Sequence, residues 1–112
     1  MVIIGDINSN AVFDAKNNLR RIEQRSHEAV LTKLAQLGLC SAYHHTTGEA
    51  QGGEATATFY LHRSENKPYH LDHCFIAEKR IKSFKVLNNN DNERRHWLNY
   101  SDHMPLVVDI WD

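Results

Sequence analysis

Apolar residues occupy successive positions at the start of the chain, Val2-Ile3-Ile4, and the run resumes after Gly5-Asp6 with Ile7. Apolar side chains on consecutive rather than alternate positions predict a strand covered on both faces, and such a strand is central in its sheet. A central strand with no element before it leads us to expect further structure upstream, because first residues are normally frayed surface. After the polar stretch Asn8 to Asn18, Ser26 suits an N-cap, with Glu28 in the first turn. Ala29, Val30, Leu34 and Leu37 then recur at helical spacing, and Gly38 provides the stop. The pattern predicts a helix over 26–37, with Leu19 and Ile22 a less regular extension before it.

Leu39 to His44 reads as a strand and residues 46–56, with Gly48, Gly52 and Gly53, as a loop. Thr56 to Leu61 and Tyr69 to Ala77 are two further strands, separated by the polar turn Arg63 to Pro68. Residues 81–87 form a fourth and Met104 to Trp111 a closing strand. The run from Asn88 to Arg95 carries nothing to bury and is expected to be a surface loop. The order, one main helix followed by several strands, predicts an α/β (α+β) domain with a mostly antiparallel mixed sheet.

Composition narrows the function classes. With 112 residues and 41% hydrophobic side chains the chain can build one core. Thirteen Lys and Arg against fourteen Asp and Glu leave a net charge of -1, so a nucleic-acid partner would need a local basic patch. No apolar run approaches the roughly 18 residues of a membrane span, and a secretory leader pattern is missing, so no membrane association and a cytoplasmic location are expected. Cys40 and Cys74 sit in apolar company and are expected to be buried, reduced thiols. Eight histidines are the unusual count and invite a metal site or a catalytic imidazole.

Three segments concentrate polar side chains at the ends of apolar strands: Gly5-Asp6-Ile7-Asn8, His70-Leu71-Asp72-His73-Cys74-Phe75 and Ser101-Asp102-His103-Met104-Pro105. Asp6 and Asn8, two apart, would share one face at the carboxyl end of a strand, a carboxylate and an amide suited to orienting a water and donating to an oxyanion. An Asx turn that simply ends the strand is the plainer alternative. Asp72, flanked by apolar residues, needs a partner, since an isolated buried carboxylate costs several kcal/mol. His103 can supply one, its imidazole oriented by the carboxylate, and a purely structural buried pair stays equally open. Asp102 is a hard-oxygen donor of the type that Mg²⁺ or Mn²⁺ takes.

In that order and spacing, Gly-Asp-Ile-Asn, Leu-Asp-His-Cys-Phe and Ser-Asp-His-Met-Pro-Leu together resemble the endonuclease/exonuclease/phosphatase superfamily, the fold of DNase I and of abasic-site endonucleases related to exonuclease III. The resemblance implies that Asp6 orients or deprotonates water, Asn8 binds the scissile phosphate, His103, held by Asp72, polarises the phosphate or shuttles a proton, and Asp102 contributes to the metal. The implied reaction is in-line hydrolysis of a phosphate ester, with nucleic acid among the candidate substrates and small-molecule or lipid-headgroup esters as the alternative. His73 stands where the family commonly has an aromatic, and on a strand it faces away from Asp72. Family members are longer, with two face-to-face sheets and, in the amino-terminal half, an Asn and the Glu that is the principal metal ligand. Residues 1–112 therefore resemble a carboxyl-terminal part, half of a four-layer sandwich, expected to bind Mg²⁺ weakly and to lack measurable turnover alone.

The remaining signals are weaker. His70 would border the site on the face of Asp72, and Thr58 is a candidate substrate contact against the plainer reading of cross-strand packing. A zinc site from His70, His73 and Cys74 is disfavoured by strand alternation. One of His44 and His45 is placed to face the cleft, while His27, His62 and His96 read as surface residues. The basic groups Arg20, Arg21 and Arg25, and Lys79, Arg80, Lys82 and Lys85, are interleaved with acids and read mostly as solvated faces. From a different class, the chain could be a non-catalytic module, self-associating through an exposed sheet face or binding a partner there.

Overall fold

A computed structural model describes residues 1–16 and 26–112. The expected extension at Leu19 and Ile22 and the basic residues Arg20, Arg21 and Arg25 lie outside the described residues. The elements run β1 (Val2–Asp6), α1 (Ala11–Lys16), α2 (His27–Gln36), β2 (Cys40–Ser41), α3 (Ala42–Thr47), β3 (Phe59–Tyr60), β4 (Pro68–Tyr69), β5 (Asp72–Ile76), β6 (Ile81–Val86), α4 (Asp91–Leu98) and β7 (Leu106–Ile110). Helices with antiparallel sheets make this an α+β fold. The sheets have the orders β1-β5-β2, β3-β4 and β6-β7.

The α2 helix forms where its caps predict it. Ser26 Oγ accepts the Ala29 N–H at 3.0 Å, and Gly38 adopts a left-handed φ of 78° that lets its N–H close on Ala35 O at 2.9 Å. Two other readings are corrected by caps. The strand expected over 39–44 stops at Ser41, because the Ser41 hydroxyl accepts the His44 N–H and starts α3. The loop expected over 88–95 is largely α4: Asn90 Oδ1 accepts the Glu93 N–H at 2.8 Å and Glu93 Oε1 accepts the Asn89 N–H at 2.8 Å. This reciprocal cap nucleates the helix, and Trp97 and Leu98 at its far end supply the apolar anchor that residues 88–95 lack.

β5, not β1, is the central strand. All five of its residues are buried, with Cys74 and Ile76 on one face among Tyr43, Tyr60, Phe84, Val86 and Met104, and His73 and Phe75 on the other. β1 is an edge strand, which corrects the expectation that it is covered on both sides. Its register places Val2 opposite Ile76, Ile4 opposite Cys74 and Asp6 opposite Asp72, so Val2 and Ile4 extend the core-facing surface of the sheet. The β6-β7 ribbon covers that surface over β5, whereas Val2 and Ile4 remain 38% and 48% exposed. Val2 and Ile4 thus continue one core face to an open edge, while Ile3, opposite Phe75, is partly covered on the other face.

The long strands expected over 56–61 and 69–77 are each shorter. The second is split between β4 and β5 by His70-Leu71, where the chain turns inward to Thr58. Cys40 and Cys74 are free thiols; Cys74 is buried, whereas Cys40, expected to be buried as well, is only partly so. His27, read as a surface residue, is 2% exposed: its Nδ1 meets Ser9 Oγ at 2.7 Å and its Nε2 meets Gln51 Oε1 at 2.9 Å. Lys79, Lys82 and Lys85 are exposed, as a solvated face requires. No helix among the described residues is long and apolar enough to cross a membrane.

Candidate active site

Antiparallel pairing of β1 and β5 sets Asp6 directly across from Asp72, so two carboxylates share one sheet face at the end of the ladder. The segment before β7 brings the third group. Tyr60 N–H donates to Asp102 O at 2.9 Å, Met104 N–H donates to Thr58 O at 2.7 Å, and the intervening His103 lies with its ring 4.7 Å from the Phe59 ring. Its backbone N–H donates to Ser101 Oγ at 3.0 Å.

His103 Nδ1 lies 3.0 and 2.9 Å from the two oxygens of the buried Asp72 carboxylate. A carboxylate accepts only, so Nδ1 carries the proton, and Nε2 is the nitrogen left to face outward. Nε2 stands 3.7 Å from Asp6 Oδ2 and 3.8 Å from Asp102 Oδ1. Partial burial pulls the imidazole pKa down, but the hydrogen bond to Asp72 and the charges of Asp72, Asp6 and Asp102 outweigh it and hold His103 above its ordinary value. An imidazole held in one tautomer by a buried carboxylate, with its free nitrogen among exposed acids, can give or take a proton at its outer face.

Asp6, Asp72 and His103 bring one donor atom each within 4.8 Å of one another, a set able to hold a metal ion; no other such group occurs among the described residues. Both Asp72 oxygens are engaged by His103, and Asp6 Oδ1 accepts the Asn8 N–H at 2.9 Å. Asp102, expected as the metal ligand, is half exposed beside His103 Nε2 and lies outside this group.

Asn8 does not continue the strand face of Asp6. It adopts a left-handed φ of 53°, and its N–H closes an Asx turn onto Asp6, leaving the side chain exposed at the rim. Two expected substrate contacts are corrected. Thr58 is fully buried, and its hydroxyl accepts the N–H groups of Leu71 and Asp72 at 2.9 and 3.0 Å. His70 does not line the carboxylate face: because the chain breaks between β4 and β5, its ring packs against Tyr43, His44 and His73 at 4.4, 5.9 and 5.3 Å between centroids.

The histidine count is explained mainly by this second, interior layer. Neither His44 nor His45 joins the Asp72 cluster. His44 Nε2 donates to Glu54 Oε2 at 2.6 Å, and its Nδ1 accepts from Ser41 Oγ at 2.6 Å. That chain has the connectivity of a nucleophile, base and acid, but Ser41 is buried and its hydroxyl caps α3. Burial alone would raise Glu54. The bonds from His44, Asn10 and Gly52 overcome it and bring the carboxyl to about 2. Burial lowers His73 to about 4 despite its hydrogen bond to Ser9 O. Glu54, Asn10 and Ser41 carried no sequence signal, because their partners are distant in the chain.

Comparison with models of protein families, with curated proteins and with solved structures finds no match to this chain.

Proposed function

We propose that the chain carries the acid–base centre of a metal-dependent phosphoesterase, with nuclease-like hydrolysis of a phosphodiester as its reaction. The observation that carries this reading is the convergence of three sequence-distant segments. His103 is clamped by Asp72 through Nδ1, and its Nε2 opens between Asp6 and Asp102. The order of the three motifs, which resembles the endonuclease/exonuclease/phosphatase superfamily, agrees with it.

In this reading Asp6 accepts the proton of an attacking water, and Asn8 at the rim donates its amide to a phosphate oxygen. His103 polarises the phosphate as negative charge grows there or gives its proton to the leaving oxygen as the P–O bond to it breaks, and Asp72 stabilises the imidazolium. Asp6, in its cluster with Asp72 and His103, would hold Mg²⁺ or Mn²⁺ with Asp102 contributing from beside it, and the cation would supply a Lewis acid that neutralises charge on the phosphate oxygens. With few open ligands the cation binds weakly, and turnover by this chain alone is expected below detection.

Binding is accordingly the deciding measurement. Millimolar Mn²⁺ is expected to broaden the NMR signals of Asp6, Asp102 and the His103 ring selectively, and inorganic phosphate with Mg²⁺ to shift the His103 ring signals, both effects being lost in Asp6→Ala. Absence of both in the unsubstituted protein overturns the reading. Mg²⁺-dependent hydrolysis of bis(p-nitrophenyl) phosphate that disappears in Asp6→Ala and His103→Ala would support the chemistry and correct the expectation of silence. A panel of nucleic-acid, nucleotide and lipid-headgroup esters separates nuclease action from small-molecule phosphatase action.

A further inference from the structure

The acid–base pair is assembled from β5 and from the segment before β7, 31 residues apart in the chain. One buried residue bonds to both, through its side chain and its main chain. Thr58, just before β3, is fully buried: its N–H donates to Tyr69 O of β4 at 2.9 Å, and its carbonyl accepts the Met104 N–H, in the segment before β7, at 2.7 Å. Its hydroxyl adds the bonds from Leu71 N–H and Asp72 N–H at 2.9 and 3.0 Å.

We infer that Thr58 is the positioning residue of the Asp72–His103 pair, its hydroxyl setting the backbone of Asp72 while its main chain sets that of Met104 beside His103. This deepens the reading of the pair as an acid–base centre and rests on it for its functional meaning. The break between β4 and β5 leaves the Leu71 and Asp72 N–H groups in a buried place, and a hydroxyl, with two lone pairs, can accept both. The Asp72 bond is made at the residue whose carboxylate must meet Nδ1, so a displacement there moves the carboxylate directly. Positioning errors of about 1 Å are enough to disable such pairs.

The test compares Thr58→Val, which keeps the shape and removes the acceptor, with Thr58→Ser, which keeps the acceptor. The readout is the NMR signal of the His103 Nδ1 proton, which lies far downfield and resists exchange only while bound to the buried carboxylate. Val86→Ala, a substitution in the same core whose side chain makes no hydrogen bond to Thr58, Asp72 or His103, serves as a control for general loss of stability. The signal is expected to be present in the unsubstituted protein, Thr58→Ser and Val86→Ala, and lost in Thr58→Val, with faster amide exchange at Leu71 and Asp72.

A folded Thr58→Val that retains the signal overturns the inference, as does equal loss in Val86→Ala. Should Thr58→Val not fold, Thr58→Cys, a weak acceptor of similar size, reads the same proton, and full retention there overturns the inference as well. Because the readout needs neither metal nor substrate, failure of the phosphoesterase reading leaves its outcome interpretable.

Discussion

The pairing of His103 with Asp72 makes a quantitative claim about stability and pH. Hydrogen bonds to charged groups contribute about 1.5–3 kcal/mol, and since the His103 side chain is 31% exposed while the Asp72 side chain is 9% exposed, the low end of that range applies. A double-mutant cycle built from Asp72→Asn, His103→Gln and the combined variant should therefore give a coupling of about 1.5 kcal/mol with His103 charged. The folded protein holds the imidazole above 6.5. Its contribution is hence fully present below the unfolded value near 6.5 and is lost as pH rises through the higher folded value. Urea unfolding followed by circular dichroism at pH 5.5 and pH 9 measures the cycle, and titrations elsewhere cancel within it. Coupling should fall to below about 1 kcal/mol at pH 9, where a neutral imidazole still donates to the carboxylate. A coupling equal at both pH values, or indistinguishable from zero at the lower one, would refute the charged-pair argument.

Glu54, brought from 4.5 to about 2 by its partners, contributes stability above 4.5 that is lost as pH falls toward 2. This is worth about 3 kcal/mol at neutral pH, so Glu54→Gln should lower the urea midpoint and flatten the acid limb of the stability profile. Asn8, at φ 53°, should accept Gly without loss, whereas Asn8→Val should cost about 1–2 kcal/mol in thermal or urea unfolding. Val2 and Ile4, uncovered at the open edge of the sheet, should make copies of the chain associate at micromolar concentration, and Ile4→Glu should reverse this. A sharp monomer peak for the unsubstituted protein in sedimentation would count against that expectation.

Local chemistry was legible where the whole cause is local. The Ser26 cap, the helical spacing of Ala29 to Leu37 and Gly38 as the stop predict α2 to within a residue, and the strands expected over 2–7, 81–87 and 104–111 form over 2–6, 81–86 and 106–110. The pairing of Asp72 with His103 was also readable, because a carboxylate among apolar residues on a strand has to find a donor. What failed were readings in which a short polar side chain chooses between competing local structures. Ser41 and Asn90 each start a helix that hydropathy alone assigns to a strand or a loop, whereas Asn8 closes the Asx turn that its residue types already offered as the plainer alternative.

The sequence by itself determined which polar groups stand at the ends of apolar strands, Asp6, Asp72, Asp102 and His103, and that Asp72, set among apolar neighbours, must be partnered. Only the tertiary structure decided how they are partnered and what surrounds them. The register of β1 on β5 sets Asp6 against Asp72, the bonds of Thr58 hold two remote segments together, and the break at His70-Leu71 sends His70 inward. These depend on hydrogen bonds between residues far apart in the chain, whose energies exist only once the sheets have formed. The same reason turns β1 from an expected center into an edge: a residue's hydropathy records that it can be covered, while the packing of β6 and β7 over β5 decides whether it is.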